Sequence, residues 1–180
     1  MNHTLITQPN AGEFPEYYAG YITRYLDRPD ALPVDEALLT QAADLSAMLG
    51  GLSQEQSGFR YAEGKWSIRE VVGHLIDCER IFALRALCIA RGEHQPLPGF
   101  DENAYVANAG FDARSMESLL EEFASVRAAT ISLVSSLSEA DLLRRGIANN
   151  GTFTPRAIVW ILVGHVAHHV AVLRERYHVA

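Results

Sequence analysis

Cysteine is scarce in this sequence: only Cys78 and Cys88 occur in 180 residues. They are ten positions apart, about 15 Å along one helix, too far for a disulfide. A disulfide-stapled scaffold is therefore excluded, and both read as reduced core thiols of a reducing compartment. Also missing is any uninterrupted apolar run near the roughly 18 residues that a membrane helix needs. The first 30 residues lack a charged segment followed by an apolar one, so no signal peptide is expected and the expected location is cytoplasmic. Basic residues are outnumbered: 15 Lys and Arg stand against 22 Asp and Glu, a formal net charge of −7. That balance disfavours a nucleic-acid partner and a polybasic membrane anchor. It leaves small molecules, or copies of the same chain, as the expected partners. No G-x-G-x-x-G or Walker-type phosphate loop is present, and no G-x-S-x-G nucleophile elbow.

What remains is ordinary globular material, with 48% hydrophobic and 21% charged residues. At this length it makes one domain. Residues 1–12 read as a flexible arm and 13–180 as a single domain. Phe14, Tyr17, Tyr18, Tyr21 and Tyr25 recur at helical intervals, with Pro15 suited to a first turn. A second helix follows over Asp35–Leu49, stopped by Gly50-Gly51, and 53–65 reads as loop. Ser67 with Glu70 forms a capping-box signature opening a long helix, apolar on most sides, from about Ile68 to Ala90. His94 to Phe111 is a long connection, of the kind that is functional or carries a short helix of its own. Ser115 opens the next long helix, Ser138-Glu139 a short one, and 146–154 reads as a connector. Thr154 and Pro155 start a last helix that runs to about Tyr177. No strand alternation competes, so the fold class is all-α, a bundle of four long helices with short additional ones.

Four of the seven histidines lie in these helices. His165 and His169 are at i and i+4 in GHVAHHVAVLRERY and share a face. Two imidazoles so spaced suit one divalent metal, as in H-E-x-x-H, but Val166 stands where the protease base would be. His74, in the long apolar helix over 68–90, is the natural third ligand. Three histidines leave a metal one open position, the mark of a catalytic site. On spacing alone the plainer alternative stays open, with hydrogen-bonded core histidines and no metal. So does His168 in place of His169. Cys78 lies one turn beyond His74 and reads as a buried inert thiol or a neighbour of the site. Arg85 continues the same stripe. It either receives an anionic substrate or pairs with one of the many carboxylates. The PGFDENAY segment, 98–105, either lines a pocket with Asp101, Glu102, Asn103 and Tyr105 or is a structural connection.

The runs GKWSIREVVGHLIDCERIFALRALCIARGEHQPLPGFDENAY (64–105), GHVAHHVAVLRERY and EFPEYYAGYITRYL together resemble the DinB-like (DinB/YfiT) superfamily, over nearly the whole chain. The resemblance implies an up-down-down-up four-helix bundle, usually dimeric. It implies a divalent metal, zinc or nickel, on three histidines matching His74, His165 and His169, which sets His168 aside. It also implies kinship with transferases of low-molecular-weight thiols such as bacillithiol, mycothiol and glutathione. One position departs from the pattern: Val166 stands where relatives often carry an acid, so a supporting carboxylate has to come from elsewhere, Asp77 or Glu70 being candidates. Three functions follow as expectations. The first is transfer of a low-molecular-weight thiol to an electrophile, with Arg85, Asn103 and Tyr105 as substrate-binding candidates. The second is metal-dependent hydrolysis. The third is a non-enzymatic, stress-associated metal-binding or interaction module.

Overall fold

A computed structural model of the chain describes residues 6–180. Residues 1–5 of the expected arm lie outside the described residues. The elements, in order, are α1 (Ala19–Leu26, preceded by a 3-10 turn over Glu16–Tyr18), α2 (Val34–Leu49), α3 (Gln54–Ser57), α4 (Ile68–Ala90) and α5 (Glu102–Ala109). After them come α6 (Met116–Ser135), α7 (Glu139–Leu142), the strands β1 (Gly146–Ala148) and β2 (Gly151–Phe153), and α8 (Pro155–Tyr177).

Helix starts follow the capping chemistry. Ser67 accepts from the Glu70 N–H while Glu70 reaches back to the Ser67 N–H, a complete capping box. Ser115 and Thr154 cap α6 and α8, with Pro155 in the first turn of α8. Two elements differ from the sequence reading. Residues 53–65 contain α3, nucleated by a capping box between Ser53 and Gln56. The 146–154 connector is an antiparallel hairpin, turned by Asn149 and Asn150 at φ 46° and 60°. Asparagine tolerates this left-handed pair, which matches strand twist. Three-residue strands are too short for alternation to show.

α2, α4, α6 and α8 form the bundle. One half of the core joins Leu45 and Leu49 at the end of α2 with Val71 and Leu75 early in α4, Leu119 early in α6, and Leu173 and Tyr177 late in α8. The other half joins the start of α2 (Leu38), the ends of α4 (Phe82, Ile89) and α6 (Val134), and the start of α8 (Ile158, Ile161). The helices therefore run up-down-down-up, and the connection from α4 to α6 returns the chain across the length of the bundle. α8 is long and apolar enough to cross a membrane, but 67% of its most apolar window is buried inside the bundle, as a core helix requires.

The aromatic α1 segment turns inward rather than outward. Tyr25 is buried and donates to the Leu32 carbonyl, and Tyr18 packs on Phe82 and Phe153. Only Tyr17, at 60% exposure, faces outward. Ahead of it, Trp160 donates to the carbonyls of Ile6 and Thr7, and Arg156 pairs with Glu13. Burial alone would raise the Glu13 carboxyl. Its bonds from Arg156, the Asn10 N–H and Thr154 outweigh that and hold it at about 2.

Inside the bundle Arg127 (α6), 1% exposed, forms a two-pronged ion pair with Glu79 (α4), also 1% exposed, at 2.8 and 2.9 Å. Its Nη1 donates to the Leu38 carbonyl and to Gln41 Oε1 of α2, and Gln41 Nε2 donates to the Val163 carbonyl of α8. Glu79→Gln should remove about 3–5 kcal/mol of stability, because it leaves the guanidinium charge buried and unpaired. The double variant Glu79→Leu/Arg127→Met should recover most of that loss. Urea denaturation of both variants checks this, and equal losses in the two would contradict it.

Candidate metal centre

Two helices supply the histidines, and two of the three, His74 and His165, follow a glycine that makes room for the element covering them. A side chain at Gly164 would put its Cβ 2.5 Å from the Tyr21 carbonyl oxygen, so only glycine lets α1 lie against α8 here. That close approach sets the Tyr21 ring edge-on to His165, centroids 5.3 Å apart. Likewise a Cβ at Gly73 would enter the Phe111 ring, 2.3 Å away. The Phe111 ring, carried by the 3-10 turn Phe111–Ala113 that follows α5, lies over α4 at Gly73, beside His74. The indole of Trp66 lies against the His74 ring, centroids 4.7 Å apart and planes tilted by 41°.

The imidazoles converge. His74 Nε2 lies 3.1 Å from His165 Nε2, and His169 Nε2 lies 3.0 Å from the same atom. One ligand atom from each falls within 4.8 Å of the others. Nitrogens at 2.0–2.1 Å from a tetrahedral zinc stand roughly 3.3 Å apart, close to this spacing. His74 and His165 are buried and His169 half-buried. Burial, then its histidine neighbours, pushes His165 well below the ordinary imidazole range, and His169 likewise; burial and His168 bring His74 down to about 4. All three are therefore neutral at pH 7 and offer lone pairs, the state that metal ligation needs. Each imidazole nitrogen has one in-plane lone pair or one proton. His165 Nε2 therefore cannot satisfy both neighbours, whereas a cation between the three satisfies all. His169 Nδ1 is buried with no protein partner among the described residues. The donor set fits a divalent metal.

The surroundings are short of carboxylates. Val166 is buried in the hydrophobic core, a quarter-turn round α8 from His165. The two candidate supports lie elsewhere: Glu70 is held by Arg60 and the Ser67 N–H, and Asp77 lies nearest Arg80. Cys78 is the closest polar neighbour, its Sγ 3.7 Å from His74 Nδ1 and 3.6 Å from Nε2. Burial pushes that thiol up, so it stays protonated. His168 is not one of the clustered ligands: it lies beside His169, edge-on to Tyr21, and its Nδ1 accepts from Arg24 at 3.0 Å.

Of the other sequence candidates, Arg85 is brought to the same wall of α4, 2% exposed, with Nη2 donating to the Pro98 carbonyl. Asn103 and Tyr105 are exposed on α5. Tyr105 packs on Phe100 at 5.2 Å, and among the described residues neither touches a histidine. Asp101 caps α5. Glu102 is near enough that, after burial itself, it raises the Tyr21 phenol. Trp66 and Tyr21, the two rings that frame the histidines, were not assigned a role from sequence, since no spacing rule links an aromatic to a histidine on another helix.

The family model described as the DinB superfamily matches residues 37–173. Among curated proteins, one of Geobacillus thermodenitrificans, provisionally named a metal-dependent hydrolase, is 34% identical over 104 residues, 56% of each chain. The chain thus spans little more than half the length of that relative. A protein of Geobacillus kaustophilus with the same provisional name is 28% identical over 139 residues, 74% of this chain and 78% of that one. The solved structure of YfiT from Bacillus subtilis, described as a candidate metal-dependent hydrolase with an unusual four-helix bundle topology, superposes with a TM-score of 0.74 at 18% identity. It covers 97% of this chain and 95% of YfiT. The mycothiol-dependent maleylpyruvate isomerase superposes with a TM-score of 0.63 at 17% identity, over 78% of this chain and 60% of that one. At such identities the two structures establish the fold.

The convergence of three neutral imidazoles predicts one equivalent of zinc or nickel per chain, lost in His165→Ala. Elemental analysis of tag-free protein measures it. Loading at a thousandfold excess over Kd should stabilise the wild type by about 4 kcal/mol and leave the variant unchanged. Failure of the wild type to take up either metal would leave the histidines as core residues.

Proposed function

This chain belongs to the DinB superfamily, and on that premise we propose that it is a divalent-metal-dependent enzyme that transfers a low-molecular-weight thiol to an electrophile. The observation that carries the reading is the convergence of His74, His165 and His169 on one point, in surroundings of aromatic rings and without a carboxylate. Three ligands leave an open position for a reactant. A divalent ion there supplies positive charge that favours a thiolate over a thiol at neutral pH. A thiolate is a nucleophile without a general base, which suits a site that offers none.

The chain's own residues do the rest. His165 and His169, one turn apart on α8, and His74 on α4 fix the ligand set from two packed helices. Tyr21 packs edge-on to His165 and Trp66 lies tilted against His74, so aromatic rings fix two of the three imidazoles. Cys78, protonated by burial, does not compete with an incoming thiol as an anion. Both cysteines are free thiols, in keeping with a reducing cytoplasm, where such thiols are found. A homodimer belongs to the same proposal. Sedimentation at micromolar concentration decides it, and a monomer there removes it.

Hydrolysis is the second reading, favoured by the names of the two Geobacillus relatives. Its nucleophile is water, which has to lose a proton and pass one to the leaving group, so it needs a proton carrier near the cluster. Among the described residues the cluster contains no acid in that position.

Zinc- or nickel-loaded protein should conjugate at least one of glutathione, bacillithiol and mycothiol to a model electrophile such as 1-chloro-2,4-dinitrobenzene. His165→Ala should lose at least 10–100-fold of that rate, as loss of a ligand weakens metal binding by that order or more. Ester or amide cleavage that persists without thiol would instead select hydrolysis. Metal uptake that raises the melting temperature with no turnover of either kind would select the binding module.

A further inference from the structure

Arg85 is the one arginine of the bundle interior whose charge meets no carboxylate among the described residues. It is 2% exposed. Its Nη2 donates to the Pro98 carbonyl at 2.9 Å, while Nη1 is buried with no partner. The guanidinium lies over the Phe82 ring at 5.2 Å and near the Phe100 ring at 5.8 Å, and close enough to Tyr18 to act on its phenol. A buried cation left with a carbonyl acceptor, a neighbouring phenol oxygen and two ring faces, and with no carboxylate, is destabilising by itself. It is also held in place. The hairpin fixes the loop that offers the carbonyl, since Leu97 N donates to Ile147 O and Asn149 N donates to Leu97 O. Nearby acids do not neutralise it: Glu79 is spent on Arg127, and Glu102, exposed at the start of α5, forms no ion pair with it.

The residue also faces the right way. His74, Cys78 and Arg85 lie along one stripe of α4, and helix side chains lean toward the N-terminus. Arg85 accordingly reaches back over Phe82, one turn earlier, toward the histidine end. Cys78, in contact with His74, is two turns away, about 10 Å along the axis. Tyr18 and Tyr21 line the interval, with ring centroids 6.1 Å apart, and Tyr21 meets His165.

We propose that Arg85 is the receptor for a carboxylate on a small molecule whose reacting atom sits at the three histidines, about three helical turns along α4 from Arg85 by backbone position, an interval that the long arginine side chain shortens. The proposal rests on the reading of the histidine cluster as the reacting centre, and it names the substrate class: a compact organic acid, with Nη1 and Nη2 presented to its carboxylate and aromatic rings against its body. A guanidinium suits a planar carboxylate better than an ammonium does. The carboxylate belongs either to the electrophile or to the thiol.

The test uses metal-free, full-length protein, so that its outcome is independent of metal uptake. Benzoate and glutarate, each against its neutral amide, and glutathione against cysteamine, are titrated by calorimetry. At least one carboxylate should bind while its uncharged counterpart does not. Arg85→Gln should weaken that binding at least tenfold, and Arg85→Lys should keep part of it. Arg85-dependent binding of glutathione alone assigns the carboxylate to the thiol, and of benzoate or glutarate to the electrophile. Should Arg85→Gln fail to fold, the wild type still decides: the arginine Nε–H resonance missing from Arg85→Lys should shift as the bound carboxylate is added. Absence of binding by all three acids, equal binding in Arg85→Gln, or an unmoved Arg85 resonance overturns the proposal. A carboxylate site that persists in protein unable to hold zinc or nickel would retain Arg85 as a receptor and remove only the metal reading.

Discussion

The Arg127 guanidinium is bound to three of the four bundle helices, counting its own, and reaches the fourth through a single side chain. It sits on α6, grips Glu79 of α4 with two prongs, and donates to Leu38 and Gln41 of α2; Gln41 then donates to the Val163 carbonyl of α8. Apolar packing alone is tolerant, since a helix can slide by a turn and still bury leucines. A buried charge is not tolerant, because every donor must find its acceptor or the whole desolvation penalty stands. The network therefore acts as a register pin at the middle of the bundle. His74 lies five residues before Glu79 on α4, and His165 two residues after Val163 on α8. A register error on either helix would separate the imidazoles, so the geometry of the cluster depends on this one polar contact more than on any single apolar one.

Around that pin the chain invests in close approach. The two Gly-His pairs, 73–74 and 164–165, follow the same logic: the glycine admits a covering group, Phe111 in one case and the α1 backbone in the other, and the next residue turns its imidazole toward the shared point. Burial is what keeps all three rings neutral. It also leaves three facing nitrogens with too few protons and lone pairs in the right places to satisfy one another. The protein thus carries polar strain in its core, held in place by the apolar packing on both sides, and this is the usual signature of a site rather than of a scaffold.

Much of this was legible in the sequence, and the parts that were not share a cause. The long helices showed in apolar periodicity and in the caps Ser67, Ser115 and Thr154, which are local signals. The i, i+4 pair His165 and His169 was equally local, and joining His74 to it needed only the inference that buried helices of one bundle face each other. The hairpin at 146–153 was missed because three-residue strands have no period to read. The Glu79–Arg127–Gln41 network was missed because nothing in a single helix distinguishes a carboxylate that pairs across the core from one in solvent. The helical spacing of the aromatics before and in α1 leaves open whether they cover the bundle or face a partner. In the fold Tyr18, Tyr21 and Tyr25 pack inward while Tyr17 faces outward, and the close approach that allows this is encoded in Gly164, 143 residues after Tyr21. Contacts between distant segments have no signature in one sequence. Caps and periods do.

Comparison of the two fully buried arginines separates structure from function in this fold. Arg127 and Arg85 are 1% and 2% exposed, and each lies against phenylalanine rings. Arg127 has its donors matched by a carboxylate, a carbonyl and an amide oxygen, and it lies at the crossing of four helices, where any mismatch would loosen all of them. Arg85 has one carbonyl, from a loop that the hairpin holds still, the Tyr18 phenol nearby, no carboxylate, and an Nη1 without a partner. If both were structural, the cheaper residue at position 85 would be a methionine or leucine, which fills the same volume without a charge to desolvate. Keeping a guanidinium there makes sense only when something anionic arrives to meet it. The least stable arrangement of charge in the bundle therefore lies on the same helix face as its least satisfied histidines, and the two unpaired features together describe a molecule with a donor atom for one end and a carboxylate at the other.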